Sequence, residues 1–322
     1  MINPVSEIDL DFTTYLQERQ KQLAQNEVKG IPNYSFSTDR ILRQRMSSVK
    51  PLHAVGQFIV SKQKVFQEQI YLMQGIAVGP QQFPEIYRLA ETCARKLGIG
   101  MPQIYIIPDS NLNASTIAAD DISPLLLLTS GLIDALEPNE LLFVIGHECG
   151  HIHNLHGVYN TAAELLTNSA IQSISVGVQI KFGMGAEFLG SLLGGGLRLM
   201  LNSWSRCAEI TCDRAGLICC GDVEAAQRVF LKLITGGSIR LDQINIEAYL
   251  QQAGQVNSRI VKLLELGDTH PLLPKRIEAT RAFANCEILY KWHPDIPKNN
   301  KSLRTLKETD TLCNQIIQVV QS

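Results

Sequence analysis

The chain has no Cys-x-x-Cys pair, no surplus of either charge, and no apolar run of the roughly 18 to 20 residues that a membrane-spanning helix needs. Its eight cysteines, at 93, 149, 207, 212, 219, 220, 286 and 313, are scattered. That spacing argues against a dense disulfide framework or a zinc ribbon and fits reduced thiols. Lysine and arginine number 29 against 31 aspartates and glutamates in 322 residues, so nucleic acid is not an expected partner. The opening Met1 to Asp9 lacks the basic start and apolar run of an export signal, and a cytoplasmic location is the default expectation. No internal repeat is visible.

What is present is a chain with 45% apolar residues, long enough to bury one large core. Residues 1–80 are polar and mixed and read as an N-terminal extension, a candidate cover for a cleft. Residues 81–285 read as the main domain and 286–322 as a tail. Pro84 to Leu97 has proline in its first turn, apolar residues at helical spacing and Gly98 to close it, which predicts a helix. Ile104–Ile107 and Leu125–Leu128 are short apolar runs between turn-forming residues, and Ala114 to Ala118 can pair beside them as an edge strand. Helices are also predicted from Pro138 onward, over Trp204–Cys220 and over Asp222–Ile234. The expected fold class is therefore α+β, mainly helical, with a small antiparallel or mixed sheet. The stretch 165–201 is apolar but interrupted by Asn168, Gln172, Gln179, Lys181, Glu187 and Arg198, so peripheral contact with a membrane is a better expectation than crossing one.

His147-Glu148-Cys149-Gly150-His151 matches His-Glu-x-x-His. On a helix, positions i and i+4 fall about 40° apart, so both imidazoles can reach one ion from one face. Neutral imidazole suits zinc, and Glu148 can approach a zinc-bound water without becoming a ligand. Two packed core histidines would be the plain alternative, but unpaired polar groups are costly in so apolar a helix. On the same wheel His153 and His156 point about 240° and 180° from His147, away from the metal face. Asn154 and Gly157 also stand where an extended three-histidine motif would need glycine and histidine.

The third ligand must then come from elsewhere, and Glu209 is the best candidate. Asp213 lies four residues later on the same helical face, where it can accept a hydrogen bond from the distal nitrogen of a ligand histidine. Two acids at that spacing ordinarily make a solvated helix face. Their pairing with His-Glu-x-x-His reverses that reading.

Several separated blocks resemble, in order, the gluzincin family that includes the HtpX heat-shock protease and the CAAX prenyl protease. They are Asn113-Ala-Ser-Thr116, Thr129-Ser-Gly-Leu132, Gly146 to Ile152, Arg206 to Gly216, and Thr269 to Ile277 with its Thr-His-Pro and arginine. The resemblance spans roughly residues 80 to 285 and implies a zincin-like metallopeptidase whose sheet edge, Asn113, Ala114, Ser115 and Thr116, lines the cleft and binds substrate. It implies one zinc ion per chain held by His147, His151 and Glu209, with Asp213 behind them. His270 would lie near the site and help to stabilise the oxyanion. Arg276 would order neighbouring acidic groups, or else form a plain surface ion pair. Cys149 and Ser115 depart from the residues usual in the family, which bears on subsite preference. The segment between the zinc helices spans the membrane in HtpX-like members, whereas here it is too polar, and a soluble variant is the expectation.

The activity expected is endopeptidase hydrolysis of peptides or unfolded proteins, in protein quality control, with Glu148 as general base toward a zinc-activated water. The alternative from another class is a zinc-stabilised chaperone or membrane-surface module without turnover, in which a fourth protein donor would close the metal.

Overall fold

A computed structural model describes residues 31–47, 50–119, 122–160, 195–237, 240–255, 270–297 and 302–318, with the single positions 11, 14, 15 and 17. Most of the apolar stretch 165–201 and of the Gln-rich opening lies outside these residues.

The chain order begins with α1 (Ser37–Ser47), α2 (Lys50–Gln74), β1 (Ile76–Ala77), α3 (Pro84–Leu97), β2 (Gln103–Ile107), β3 (Ala114–Ala119) and β4 (Ile122–Thr129). It continues through α4 (Ser130–Ala135), α5 (Pro138–His153), α6 (Gly195–Cys220), α7 (Val223–Thr235), α8 (Ile246–Gly254), α9 (Leu273–Ala284), α10 (Glu287–Trp292) and α11 (Leu306–Ile317). The architecture is α+β, as expected: helices around one four-stranded sheet of order β1-β2-β4-β3. The sheet is mixed, because β2 and β4 run parallel while β3 returns antiparallel to β4 and stands at the edge.

Local chemistry accounts for the elements. Proline opens α3, and Gly98 closes it with φ of 69°, a left-handed conformation that glycine adopts without a Cβ clash. Pro138 opens α5, and the backbone N–H of Glu137 donates to Glu140 at 3.0 Å. The Glu140 carboxylate is buried but receives Lys232 at 2.6 Å and Arg228 at 2.8 Å from α7. Thr129 caps α4, and its hydroxyl also accepts from the Asn113 N–H at 3.1 Å, which ties the start of the edge strand to the helix beside it.

Helix α5 runs through the centre, packed against α3, α6, α7 and β3. Its closest neighbour is α6, and two glycines permit that approach. A Cβ on Gly146 would stand 2.6 Å from Cβ of Cys219, and one on Gly150 would stand 2.8 Å from Cβ of Ala215. Neither distance is compatible with ordinary packing, so larger residues there would push α6 and its acids away from the histidines.

Candidate metal centre

Helix α5 is buried along nearly its whole length, and His147, Glu148 and His151 are all less than a tenth exposed. Across from them on α6 lies Glu209, 3% exposed. Its two carboxylate oxygens divide between the imidazoles: Oε2 is 3.6 Å from Nε2 of His147, and Oε1 is 3.4 Å from Nε2 of His151. Nδ1 of His147 is engaged separately by Asp213 at 3.0 Å. Both Nε2 atoms therefore face the one carboxylate, while the outer nitrogen of His147 is held from behind.

Arg276, on α9, is buried rather than on the surface. It grips Asp213 with two nitrogens at 2.6 and 2.9 Å, reaches Glu209 with a third at 3.0 Å, and stacks its guanidinium 5.2 Å from the Phe230 ring centre. Of the two readings of this arginine from sequence, ordering of acidic groups or a plain surface ion pair, its burial against both acids bears on the choice. His270 contacts Glu209 through Nδ1 at 3.1 Å while its side chain is 66% exposed.

The electrostatics follow. Burial alone would raise the Glu209 carboxyl, but the His270, Arg276 and His147 charges hold it well below the usual carboxylate range. Asp213 is likewise lowered, with burial opposed by Arg276. Burial pulls His151 down, yet its hydrogen bond to the Glu209 carboxylate leaves it raised overall. An ionised carboxylate surrounded by positive and imidazole groups, with two Nε2 atoms aimed at it, is a donor set that fits a divalent cation of the zinc type.

One thiol competes for that description. Cys212 lies within 4.8 Å of donor atoms of both His147 and His151. Its sulfur, however, sits 3.5 Å from Nδ1 of His156, the nitrogen that also meets Nδ1 of His151, and so belongs to the flank opposite Nε2. Burial, with Glu209 and Asp39 nearby, raises its pKa well above normal in the metal-free protein. Glu209 is the better third donor.

The edge strand meets the same site. Thr116 donates to Oε2 of Glu148 at 2.7 Å. Asn113 and Ala114 line a cavity of about 130 Å³ beside His147 and Glu148, and Leu132, Val144, Val229 and Leu233 form apolar wall. Ser115 is exposed and, by strand alternation, lies on the other face from Ala114 and Thr116.

His156 lies off the metal face, at the Nδ1 side of His151, but not by the helical wheel. Helix α5 ends at His153 with Asn154 as its cap, and Leu155 takes φ of 57°, so the chain turns and the 100° rule no longer applies. His156 returns against His151, with ring centres 5.3 Å apart. Its Nε2 lies 3.1 Å from Asp39 on α1, a residue that sequence reasoning passed over. His153 does point elsewhere, toward the Tyr34 hydroxyl at 3.0 Å. Asn154 and Gly157, residue types common at helix ends, were the available signal for the turn; nothing in the sequence links position 39 to it.

Residues 80–284 match Peptidase family M48. The chain belongs to that family. It is similar to Protease HtpX of Hydrogenovibrio crunogenus, 31% identical over 276 residues that cover 79% of this chain and 89% of that protein. It is also similar to the plastoglobule-localized metallopeptidase 48, chloroplastic, of Arabidopsis thaliana, 32% identical over 190 residues, 58% of this chain and about half (52%) of that protein's length. A Protease HtpX homolog of Moorella thermoacetica is 26% identical over 241 residues. The M48 chain is thus a metallopeptidase by family. Among the described residues, no helix is long and apolar enough to cross a membrane.

Proposed function

We propose that this M48 protein is a zinc-dependent endopeptidase that cleaves extended segments of peptides or unfolded proteins. The observation that carries the reading is the convergence of the His147 and His151 Nε2 atoms on Glu209, with Glu148 one residue away and fastened to the edge strand. His147, His151 and Glu209 would hold the ion, which when bound supplies Lewis acidity toward the scissile carbonyl and the attacking water.

The chain's own groups perform the rest. Glu148 receives the proton of the attacking water and returns it to the leaving amine. Thr116, donating to Oε2, fixes the orientation of the carboxylate, so the base need not be ordered at the moment of reaction. The outer edge of β3, unpaired among the described residues, offers backbone groups to an extended substrate, in strand addition. The apolar wall of the cavity beside the base, formed by Leu132, Val144, Val229 and Leu233, suits one aliphatic side chain of that substrate. His270, anchored on Glu209 and largely exposed at the cavity, is placed to donate to the developing oxyanion. A role in protein quality control follows if the substrates are unfolded chains.

Cleavage of casein by the purified protein, with and without a chelator, tests this directly. Glu148→Gln retains zinc and loses activity by about three orders of magnitude or more, as expected for removal of an essential base. Glu209→Ala loses zinc. Chelator-insensitive cleavage, or full activity in Glu148→Gln, overturns the reading.

A further inference from the structure

The two imidazoles of the metal centre need the same thing on their outer nitrogens, an acceptor, and among the described residues only His147 meets a carboxylate there. For Nε2 of His151 to face a cation, its proton must sit on Nδ1, and that proton needs an acceptor. Among the described residues, two groups reach Nδ1: His156 Nδ1 at 3.3 Å and the Asn160 amide at 3.1 Å, the latter through its nitrogen, which can donate but not accept. His156 is completely buried, and its other nitrogen lies 3.1 Å from Oδ2 of Asp39. An ionised carboxylate can only accept, so Nε2 of His156 is the donor, and Nδ1 of the neutral ring is left as an acceptor that faces His151 Nδ1 at 3.3 Å and, farther off, the weakly donating Cys212 thiol at 3.5 Å.

Asp39 is itself over-determined. Trp204 donates to Oδ1 at 2.8 Å and Thr211 to Oδ2 at 2.7 Å, so the carboxylate is tied to α6 on the same helix that carries Glu209 and Asp213. The neighbouring residues of the extension are fastened as firmly: the Phe36 N–H donates to Thr211 at 3.1 Å, and Ser35 donates to Asn154 at 2.5 Å. The cap of the metal-bearing helix and the outer ring behind His151 are therefore both held by residues 35–39, which lie before the span matched by the family.

We infer that His156 is a positioning residue for the metal centre: oriented by Asp39 from the N-terminal extension, it accepts the Nδ1 proton of His151 and thereby turns Nε2 of His151 toward the ion. This rests on the zinc reading above. It gives the extension a defined part in the site, as a buried clamp behind the zinc helix.

The test is zinc affinity of the full-length protein by chelator competition, alongside thermal unfolding of the metal-free form. His156→Phe keeps a ring but has no acceptor, and its zinc affinity should fall about 10- to 100-fold, the range for loss of an outer hydrogen-bond partner. His156→Asn places Oδ1 where Nδ1 stood and should remain within about threefold of the original affinity. A purely structural role would lower the metal-free melting temperature in both variants without separating their zinc affinities. Asn160→Leu should leave zinc binding intact; if it weakens binding while His156→Phe does not, the amide is the acceptor and the inference falls. Nitrogen-15 histidine spectra of the zinc-loaded, unsubstituted protein give an answer even where a variant does not fold. A through-hydrogen-bond coupling between the Nδ1 atoms of His151 and His156 supports the inference, and a protonated His156 Nδ1 overturns it. If the unsubstituted protein binds no zinc, the proposed function fails too; if it binds zinc and His156→Phe binds as well, only the positioning role fails.

Discussion

His147 and His151 sit one turn apart on the same helix, yet the molecule supports them in opposite styles. Behind His147 stands Asp213, clamped by two nitrogens of Arg276, and the assembly is charged, short in its contacts and supplied by α6 and α9. Behind His151 stands His156, then Asp39, reached from residues 35–39 and the turn after α5. Charge-assisted bonds are roughly twice as strong as neutral ones. The site already gathers Glu148, Glu209 and Asp213, however, and a fourth carboxylate directly on His151 would add like charge. An imidazole interposed between Asp39 and His151 supplies a hydrogen-bond acceptor while keeping that charge one ring away.

The contrast can be broken at several points. The largest effect is expected from Asp213→Ala, which leaves the buried guanidinium of Arg276 without its two-pronged partner. Removal of one member of a buried ion pair costs about 3 to 5 kcal/mol, and urea unfolding of the metal-free protein should show it. A loss below ~1 kcal/mol would mean that the charged side carries no more than the neutral one.

Asp39→Asn comes next. Burial works to raise the Asp39 carboxyl, but His156 and Arg43 hold it down at about 2 against an ordinary 3.8. A depressed folded-state value stabilises above the unfolded value, and the contribution disappears as pH falls through the folded one. At 1.36 kcal/mol per unit the charge is worth about 2 kcal/mol near neutrality. The stability difference between Asp39→Asn and the unsubstituted protein should therefore be full above pH 4 and vanish between pH 3.8 and about 2. A difference independent of pH would show that the lost stability comes from packing and not from the ionised carboxylate.

On the cleft side, Thr116→Val removes the 2.7 Å bond to Glu148. The expected result is a fall in kcat of about tenfold, with KM and zinc content little changed, because the base is displaced and the ligands are not. The smallest effect belongs to Cys212→Ala. With Glu209 as third donor and the thiol on the Nδ1 flank, zinc affinity should stay within about twofold; a large loss would move Cys212 into the ligand set.

Much of the front of the site was legible from residue order. The His-Glu-x-x-His spacing places two imidazoles on one helical face whatever surrounds them, and the Glu209 and Asp213 interval does the same for two acids. The start and stop of α3 and the starts of α5 and α7 also follow from local chemistry at Pro84, Gly98, Pro138 and Asp222. The back was not legible, and His156 shows why. Periodicity describes a side chain only while the helix continues, and beyond Asn154 the direction of the chain depends on what it packs against. Arg276 illustrates the same limit, since an arginine reads identically whether it is solvated or, as here, nine-tenths buried between two carboxylates.

The sequence by itself determined which atoms could bind a metal and which carboxylate could act beside it, because a helix places residues four apart at one azimuth by geometry alone. Only the tertiary structure decided that α5 and α6 come close enough for Glu209 to face both imidazoles, that an edge threonine steadies Glu148, and that Asp39 stands behind His156. Those relations join positions far apart in the chain, and they depend on packing and buried hydrogen bonds formed only when distant segments share one core.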